Sequence, residues 1–151
     1  MRSTESVVVV AARAVVFPHV ADLGAYPTWL PLVHEARPGE PGDDPRPVWD
    51  VEIRARVGPF ARSKRLRMRR TELVVDELAV FERDEHDGRD HARWALRVEL
   101  TDGSEASTVV TMHLAYDGSL WTGGLLEHVL EDQIRRGRSG LAALVEARPA
   151  H

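Results

Sequence analysis

Three charged residues stand where the strand pattern calls for apolar ones, and they are the first candidates for chemistry. Alternation along 60–74 and 78–86 puts Arg70, Glu72 and Arg83 on the face that also carries Leu66, Met68 and Phe81. An arginine there can hold a ligand carboxylate or an enolate oxygen, and a glutamate can take a proton as a base. The same three residues near a strand end can instead pair with one another as a partly solvated ion pair, because long charged side chains reach water. Both readings stay open on sequence.

Other reactive side chains give less. The histidines are His19, His34, His86, His91, His113, His128 and His151, with no His-x-His or His-Glu-x-x-His spacing, and there is no cysteine. Disulfides and thiolate ligands are therefore excluded, and neither a metal centre nor a cofactor is expected. His91 is expected as a cross-strand neighbour of Asp84 on the outer face. Ser107, Ser119 and Ser139 lack a Gly-x-Ser-x-Gly context. The stretch from Arg54 to Arg70 contains no acid, which would suit nucleic acid. Yet Arg65, Arg67 and Arg69 alternate onto a wet face near Asp76, Glu77, Glu82 and Glu85, and the net charge is -4. No nucleic-acid partner is expected.

The 151 residues suit one domain, 1–151, and 43% hydrophobic with 29% charged residues suits a soluble globular one. The apolar run Val7 to Ala12 is too short to span a bilayer, and Glu5 and Arg13 argue against a signal-peptide core. The expectation is a cytoplasmic protein without integral membrane association, either monomer or homodimer.

The elements that must position these residues follow from periodicity. Thr4 to Ala11 reads as a first strand, Ala12 to Ala21 as a short helix interrupted by Pro18, and Gly24 to Leu30 as one or two further helical turns between prolines. Val33 to Arg37 can form a second strand. Pro38 to Pro47, dense in Pro, Gly and Asp, reads as a mobile loop able to gate a cavity. Val48 to Val57 alternates cleanly, Gly58-Pro59 turns the chain, and Phe60 to Val74 and Leu78 to His86 continue the sheet. Asp87-Gly88 predicts a two-residue hairpin that sets Phe81 opposite Trp94 and Glu82 opposite Arg93. A three-residue loop with a left-handed Gly103 would set Leu96 opposite Val110 and Trp94 opposite Met112. From about Leu120 to Ala147, apolar residues recur at three- and four-residue spacing as a long amphipathic helix. Within it, Gly137 and Gly140 allow close approach to the sheet. A run of antiparallel strands with one apolar face and one long helix to cover it gives a two-layer α+β domain.

Here the sequence resembles a known family. Ala21-Asp22-Leu23 followed by Tyr26-Pro27-Thr28-Trp29-Leu30-Pro31, after a valine-rich first strand, resembles the START/Bet v 1-like (SRPBCC) superfamily in its polyketide cyclase/dehydrase branch. Trp94-Ala95-Leu96 and the strand Thr108 to Tyr116 fit the same pattern. The resemblance implies a helix-grip fold, with a curved antiparallel sheet of about seven strands wrapped around the C-terminal helix. It also implies an apolar ligand held between the two.

On that arrangement the sheet wall would carry Trp49, Val51, Ile53, Met68 and Phe81, continued by Trp94, Leu96, Met112, Leu114 and Tyr116. Leu126, Leu130 and Ile134 would close it from the helix. Trp29 would lie in a segment that either lids the mouth or plugs one end of the core. A cavity of roughly 300–1,000 Å³ is expected, against the alternative of a filled core. The leading reading is binding of a small hydrophobic or aromatic molecule (polyketide-, lipid- or aromatic-like). A polyketide cyclase or aromatase using Arg70, Glu72 and Arg83 is the alternative, and a protein-interaction module without a small ligand is the third.

Overall fold

The computed structural model describes residues 2–57, 59–117 and 125–146, with the backbone alone for Val57, Phe60, 125–128 and Leu130. The chain runs β1 (Arg2–Val9), α1 (Arg13–Val20), a 3-10 helix (Leu23–Thr28), β2 (Val33–Pro38), β3 (Val48–Val57), β4 (Phe60–Val74), β5 (Leu78–Arg83), β6 (Trp94–Asp102), β7 (Thr108–Tyr116) and α2 (Leu125–Val145). All seven strands form one antiparallel sheet in the order β1-β7-β6-β5-β4-β3-β2. The sheet curls around α2, which is the helix-grip arrangement that the resemblance implies. The expected start of the long helix, at Leu120, and its end, at Ala147, lie outside the described residues.

Alternation explains which way most strands face. In β7, Thr108, Val110, Met112, Leu114 and Tyr116 are buried while the residues between them are partly exposed. In β3, Trp49, Val51, Ile53 and Ala55 are buried against exposed Asp50, Arg54 and Arg56. The inner side chains join residues of α1, the 3-10 helix and α2 in one core.

Two registers differ from expectation, and both shift by an even number of residues. Phe81 pairs with Leu96, not Trp94, and Glu82 with Ala95, not Arg93. Asp87-Gly88 does not close a two-residue hairpin, because β5 stops at Arg83 and 84–93 form a longer loop. Within it the Asp87 carboxylate accepts from the Arg89 N–H at 3.0 Å and meets the His91 ring at 2.8 Å, so His91 pairs with Asp87 and not with Asp84. Further on, Leu96 pairs with Leu114 and Trp94 with Tyr116. That connection, 103–107, turns through left-handed Glu105 and Ala106 rather than through Gly103. Gly103 is needed for space instead: a Cβ there would lie 2.3 Å from the Ser107 Oγ. Even shifts preserve faces, so the inner set survives both changes.

A third irregularity does not preserve faces. Arg70 pairs with Phe81 but Glu72 pairs with Val80, so β4 carries one extra residue at this point. The bulge turns Glu72 onto the outer face with Val80 and Glu82.

Candidate functional site

The space between sheet and α2 begins with an aromatic plug. Asp22 caps the 3-10 helix by accepting from the Gly24 N–H at 2.8 Å. That helix delivers Tyr26 and Trp29 into the core at 0% and 3% exposure. The Tyr26 hydroxyl donates to the Val20 carbonyl at 2.8 Å, and the Trp29 indole donates to the His19 carbonyl at 3.0 Å. Burial, and then the Asp22 charge, push the Tyr26 hydroxyl far above the usual phenol range. Tyr26 meets Trp29 at 4.8 Å and Phe81 at 6.2 Å between ring centroids, and Phe81 meets Trp49 at 5.8 Å. These rings pack on one another. The segment around Trp29 is thus a plug and not a lid.

α2 seats directly on that plug. A Cβ on Gly140 would lie 2.6 Å from the Trp29 carbonyl oxygen and 3.0 Å from its Cα, and one on Gly137 would lie 2.9 Å from Leu30 Cδ1. Gly140 thus admits the Trp29 backbone, and Gly137 the Leu30 and Trp29 side chains, rather than the sheet. Further anchors are Arg135 to Glu5 at 3.9 Å, Arg138 to the Val8 carbonyl at 3.2 Å, and the Val10 N–H to Glu146 at 2.8 Å.

Beside the plug lies an apolar cavity of about 60 Å³. Its walls are Leu23, Leu30, Leu32 and Val33 from the connecting segment, Val51, Ile53, Leu66 and Met68 from β3 and β4, Trp94, Leu96, Met112 and Leu114 from β6 and β7, and Ile134 from α2. Of the sequence candidates, Val51, Ile53, Met68, Trp94, Leu96, Met112, Leu114 and Ile134 come together here. Trp29, Trp49, Phe81 and Tyr116 are buried beside it in ring–ring contacts. The side chains of Leu126 and Leu130 lie outside the described residues. Leu23, Leu30, Leu32, Val33 and Leu66 are additional wall residues. Only the apolar spacing of Leu30-Pro31-Leu32-Val33 after the Tyr-Pro-x-Trp element could have marked Leu30, Leu32 and Val33. The volume falls short of the expected 300–1,000 Å³, because the large rings fill space that the sequence reading left empty.

The proposed proton-transfer set does not assemble. Arg70 faces inward, but its guanidinium donates to the Ala21 carbonyl at the end of α1 at 2.8 Å and lies 6.0 Å over the Trp49 ring. Glu72 lines an open groove of about 760 Å³ on the outer face, with Arg46, Glu82 and Arg97. Arg83 donates to the Ala92 carbonyl at 3.1 Å and stands 3.6 Å from Glu85. Nor do the three pair with one another.

The wet face holds two buried charges among the described residues, Glu52, which pairs with Arg54 and Arg65 at 2.7 and 3.1 Å, and Arg69. Arg69 is 1% exposed. It donates to the carbonyls of Pro41, Asp44 and Arg46 at 2.7, 3.0 and 2.6 Å and to the Asp84 carboxylate at 2.7 Å. Its guanidinium holds Asp84 below the usual carboxylate range. The 38–47 loop is therefore strapped to the outer face of the sheet, away from the cavity, rather than free to gate it. Alternation alone had left Arg69 solvated.

Among the described residues, Glu85, Asp87 and His91 alone bring three possible metal-ligand atoms within 4.8 Å of one another. Each already has a protein partner: Glu85 accepts from the Arg67 N–H at 2.6 Å, and Asp87 pairs with His91. Among the described residues, three buried side-chain polar atoms have no hydrogen-bond partner, namely Arg83 Nε, Trp94 Nε1 and Gln133 Oε1. No helix among the described residues is long and apolar enough to cross a membrane.

A sequence model for the family described as polyketide cyclase / dehydrase and lipid transport matches residues 1–146. No curated protein matches the chain in sequence. Among solved structures, a START superfamily protein from Mycobacterium smegmatis is similar with a TM-score of 0.66 at 18% identity, covering 96% of this chain and 97% of that one. The Zhui aromatase/cyclase from Streptomyces sp. R1128 is similar with a TM-score of 0.64 at 15% identity, covering 95% and 92%. The di-domain aromatase/cyclase BexL is similar with a TM-score of 0.65 at 16% identity, covering 99% of this chain and 51% of BexL. At these identities the likeness speaks for the fold.

Proposed function

The chain belongs to the polyketide cyclase / dehydrase and lipid transport family, and on that premise we propose that it binds a small hydrophobic or aromatic molecule between the sheet and α2. One observation carries the reading: among the described residues, the cavity on the concave side of the sheet is walled by apolar side chains alone. Burial of apolar ligand surface would supply the affinity, at about 25 cal/mol per Å². A void of about 60 Å³ is well below the roughly 300–1,000 Å³ of a pocket that holds a drug-sized molecule. A guest must part the layers. The described polar anchors of α2 all lie from Arg135 onward. The reading keeps the cytoplasmic location expected from the cysteine-free sequence.

The cyclase alternative needs proton-transfer groups inside, and the described residues commit Arg70 to α1 and turn Glu72 outward. A protein-interaction reading has one observation in its favour. Leu73, Val74 and Val75 are 42%, 40% and 69% exposed in sequence at the end of β4.

Native mass spectrometry of protein purified from its own host tests the binding reading. It should show a retained small molecule. Repeated empty preparations, with no thermal stabilisation by a broad panel of hydrophobic compounds, would overturn it.

A further inference from the structure

We infer that the end of the molecule where β1 runs into α1 is a docking surface for a basic protein segment, one that carries lysine or arginine beside aliphatic side chains. None of the residues that form it lines the cavity, so the surface stands apart from the binding reading above.

The exposed large hydrophobic side chains among the described residues all gather at this end. Val8 pairs with Val109 at the start of β7, and Val10 follows the last residue of β1. Val15 stands in the first turn of α1. Leu73, Val74 and Val75 lead into the β4–β5 turn, and Leu144 lies in the last turn of α2. Direct contacts join these pieces. Arg13 donates to the Asp102 carboxylate and to the Asp76 carbonyl, both at 3.0 Å, which ties α1 to the end of β6 and to the β4–β5 turn. The Leu100 N–H donates to the Glu77 carbonyl at 2.8 Å, and the Val10 N–H donates to Glu146 at 2.8 Å, which brings in the end of α2. Single exposed valines scattered over a surface need no explanation. A set confined to one end marks a surface that another molecule covers.

Charge decides which molecule. Asp76, Glu77, Asp102, Glu105 and Glu146 sit in the same connections, against Arg13 and Arg138 among the described residues. The side chains of Glu77 and Asp102 are 60% and 79% exposed, and Arg13 is already committed to both. Arg138 donates to the Val8 carbonyl. The valines are therefore edged by an excess of carboxylates. Such an edge repels an anionic lipid surface, and two copies meeting at this end would set like charges face to face. A cationic partner instead meets opposite charge around an apolar centre, an arrangement that speeds encounter and suppresses other partners.

Two synthetic peptides with one apolar helical face, one of leucine and lysine and one of leucine and glutamate, test this against the full chain. The lysine peptide should bind and shift the 13C-methyl signals of Val10, Val15 and Val75, assigned by single substitution. The glutamate peptide should leave them in place. Val75→Ser should weaken binding about tenfold, the scale of one buried valine side chain. Val75 is 69% exposed, so the fold should be kept, and Val10→Ser, at a residue 58% exposed, repeats the test on another connection. Glu77→Gln combined with Glu105→Gln should weaken binding severalfold at about 0.01 M salt and little at about 1 M, where screening acts within roughly 3 Å. Absent binding of the lysine peptide, equal binding of the two peptides, shifts centred on other methyls, or full affinity in both valine variants would overturn the inference. So would Val75-dependent self-association or adsorption to phosphatidylglycerol vesicles, since each puts a different occupant on the surface. None of these outcomes bears on the cavity reading.

Discussion

Gly140→Ala should destabilise the protein, although the same change at an exposed helical site would stabilise it. Alanine is better than glycine in a helix interior by about 1 kcal/mol. Against that gain, the new Cβ would stand 2.6 Å from the Trp29 carbonyl oxygen, 3.0 Å from its Cα and 3.2 Å from its carbonyl carbon. Ordinary contact begins near 3.4 Å, so α2 must retreat by the better part of an ångström, and backbone atoms cannot swing aside as a side-chain tip would. Overpacking of this kind costs about 1–3 kcal/mol, and a backbone obstacle belongs at the upper end. The retreat also loosens Ile134, Leu141 and Ala142, each buried on the same helix. The net loss is about 2 kcal/mol, or roughly 4–8 °C in Tm at 2–4 °C per kcal/mol for a chain of this size. Thermal and urea unfolding measure it, with Ser139→Ala on the exposed side as a control that should not lose stability. A Gly140→Ala protein as stable as the wild type would refute the direct seating of α2 on the Trp29 backbone.

Arg69→Met should cost about 3 kcal/mol, since it strips the strap from three carbonyls and Asp84, and it should make 38–47 the first site of proteolysis. A protease pattern unchanged from wild type would contradict this. The Asp84 carboxyl titrates lower in the folded chain than the unfolded value of about 3.9, so its contribution is held above that pH and lost as pH falls through the folded value. Hydrogen-exchange protection in 38–47, relative to the intrinsic rate at each pH, should therefore fall in acid, and Asp84→Asn should lower it already at neutral pH. Glu72→Gln should leave ligand affinity and any turnover unchanged, whereas Arg70→Ala should lower stability by about 1.5–3 kcal/mol through the lost Ala21 contact. A large functional loss in Glu72→Gln would restore it as a base.

The sequence discloses faces better than partners. Strict alternation in 48–57 and 108–116 has one solution for which face is inner, so the faces of β3 and β7 were legible, although Glu52 on the outer face of β3 is buried by its arginine partners. The Asp87-Gly88 signal misled because Asp87 spends its carboxylate inside a longer loop, yet the two-residue slip left every inner side chain inner. The bulge in β4 has no sequence mark, since Arg-Arg-Thr-Glu alternates no worse than its neighbours. It decides the fate of Glu72. Arg69 was read as solvated because alternation knows nothing of a loop folded back over the sheet. The cavity walls were half legible for a related reason. Period gives the side of a strand, while whether a ring lines a void or fills one depends on its neighbours.

The sequence has three methionines, and two of them, Met68 and Met112, stand in the cavity wall. Their 13C-labelled methyl groups therefore report directly on the space between sheet and α2. Titration with a panel of small aromatic and aliphatic compounds should shift both methyl signals and give contacts from them to ligand protons. Saturable binding that leaves both methyls unmoved, or a panel that never binds, would contradict the account.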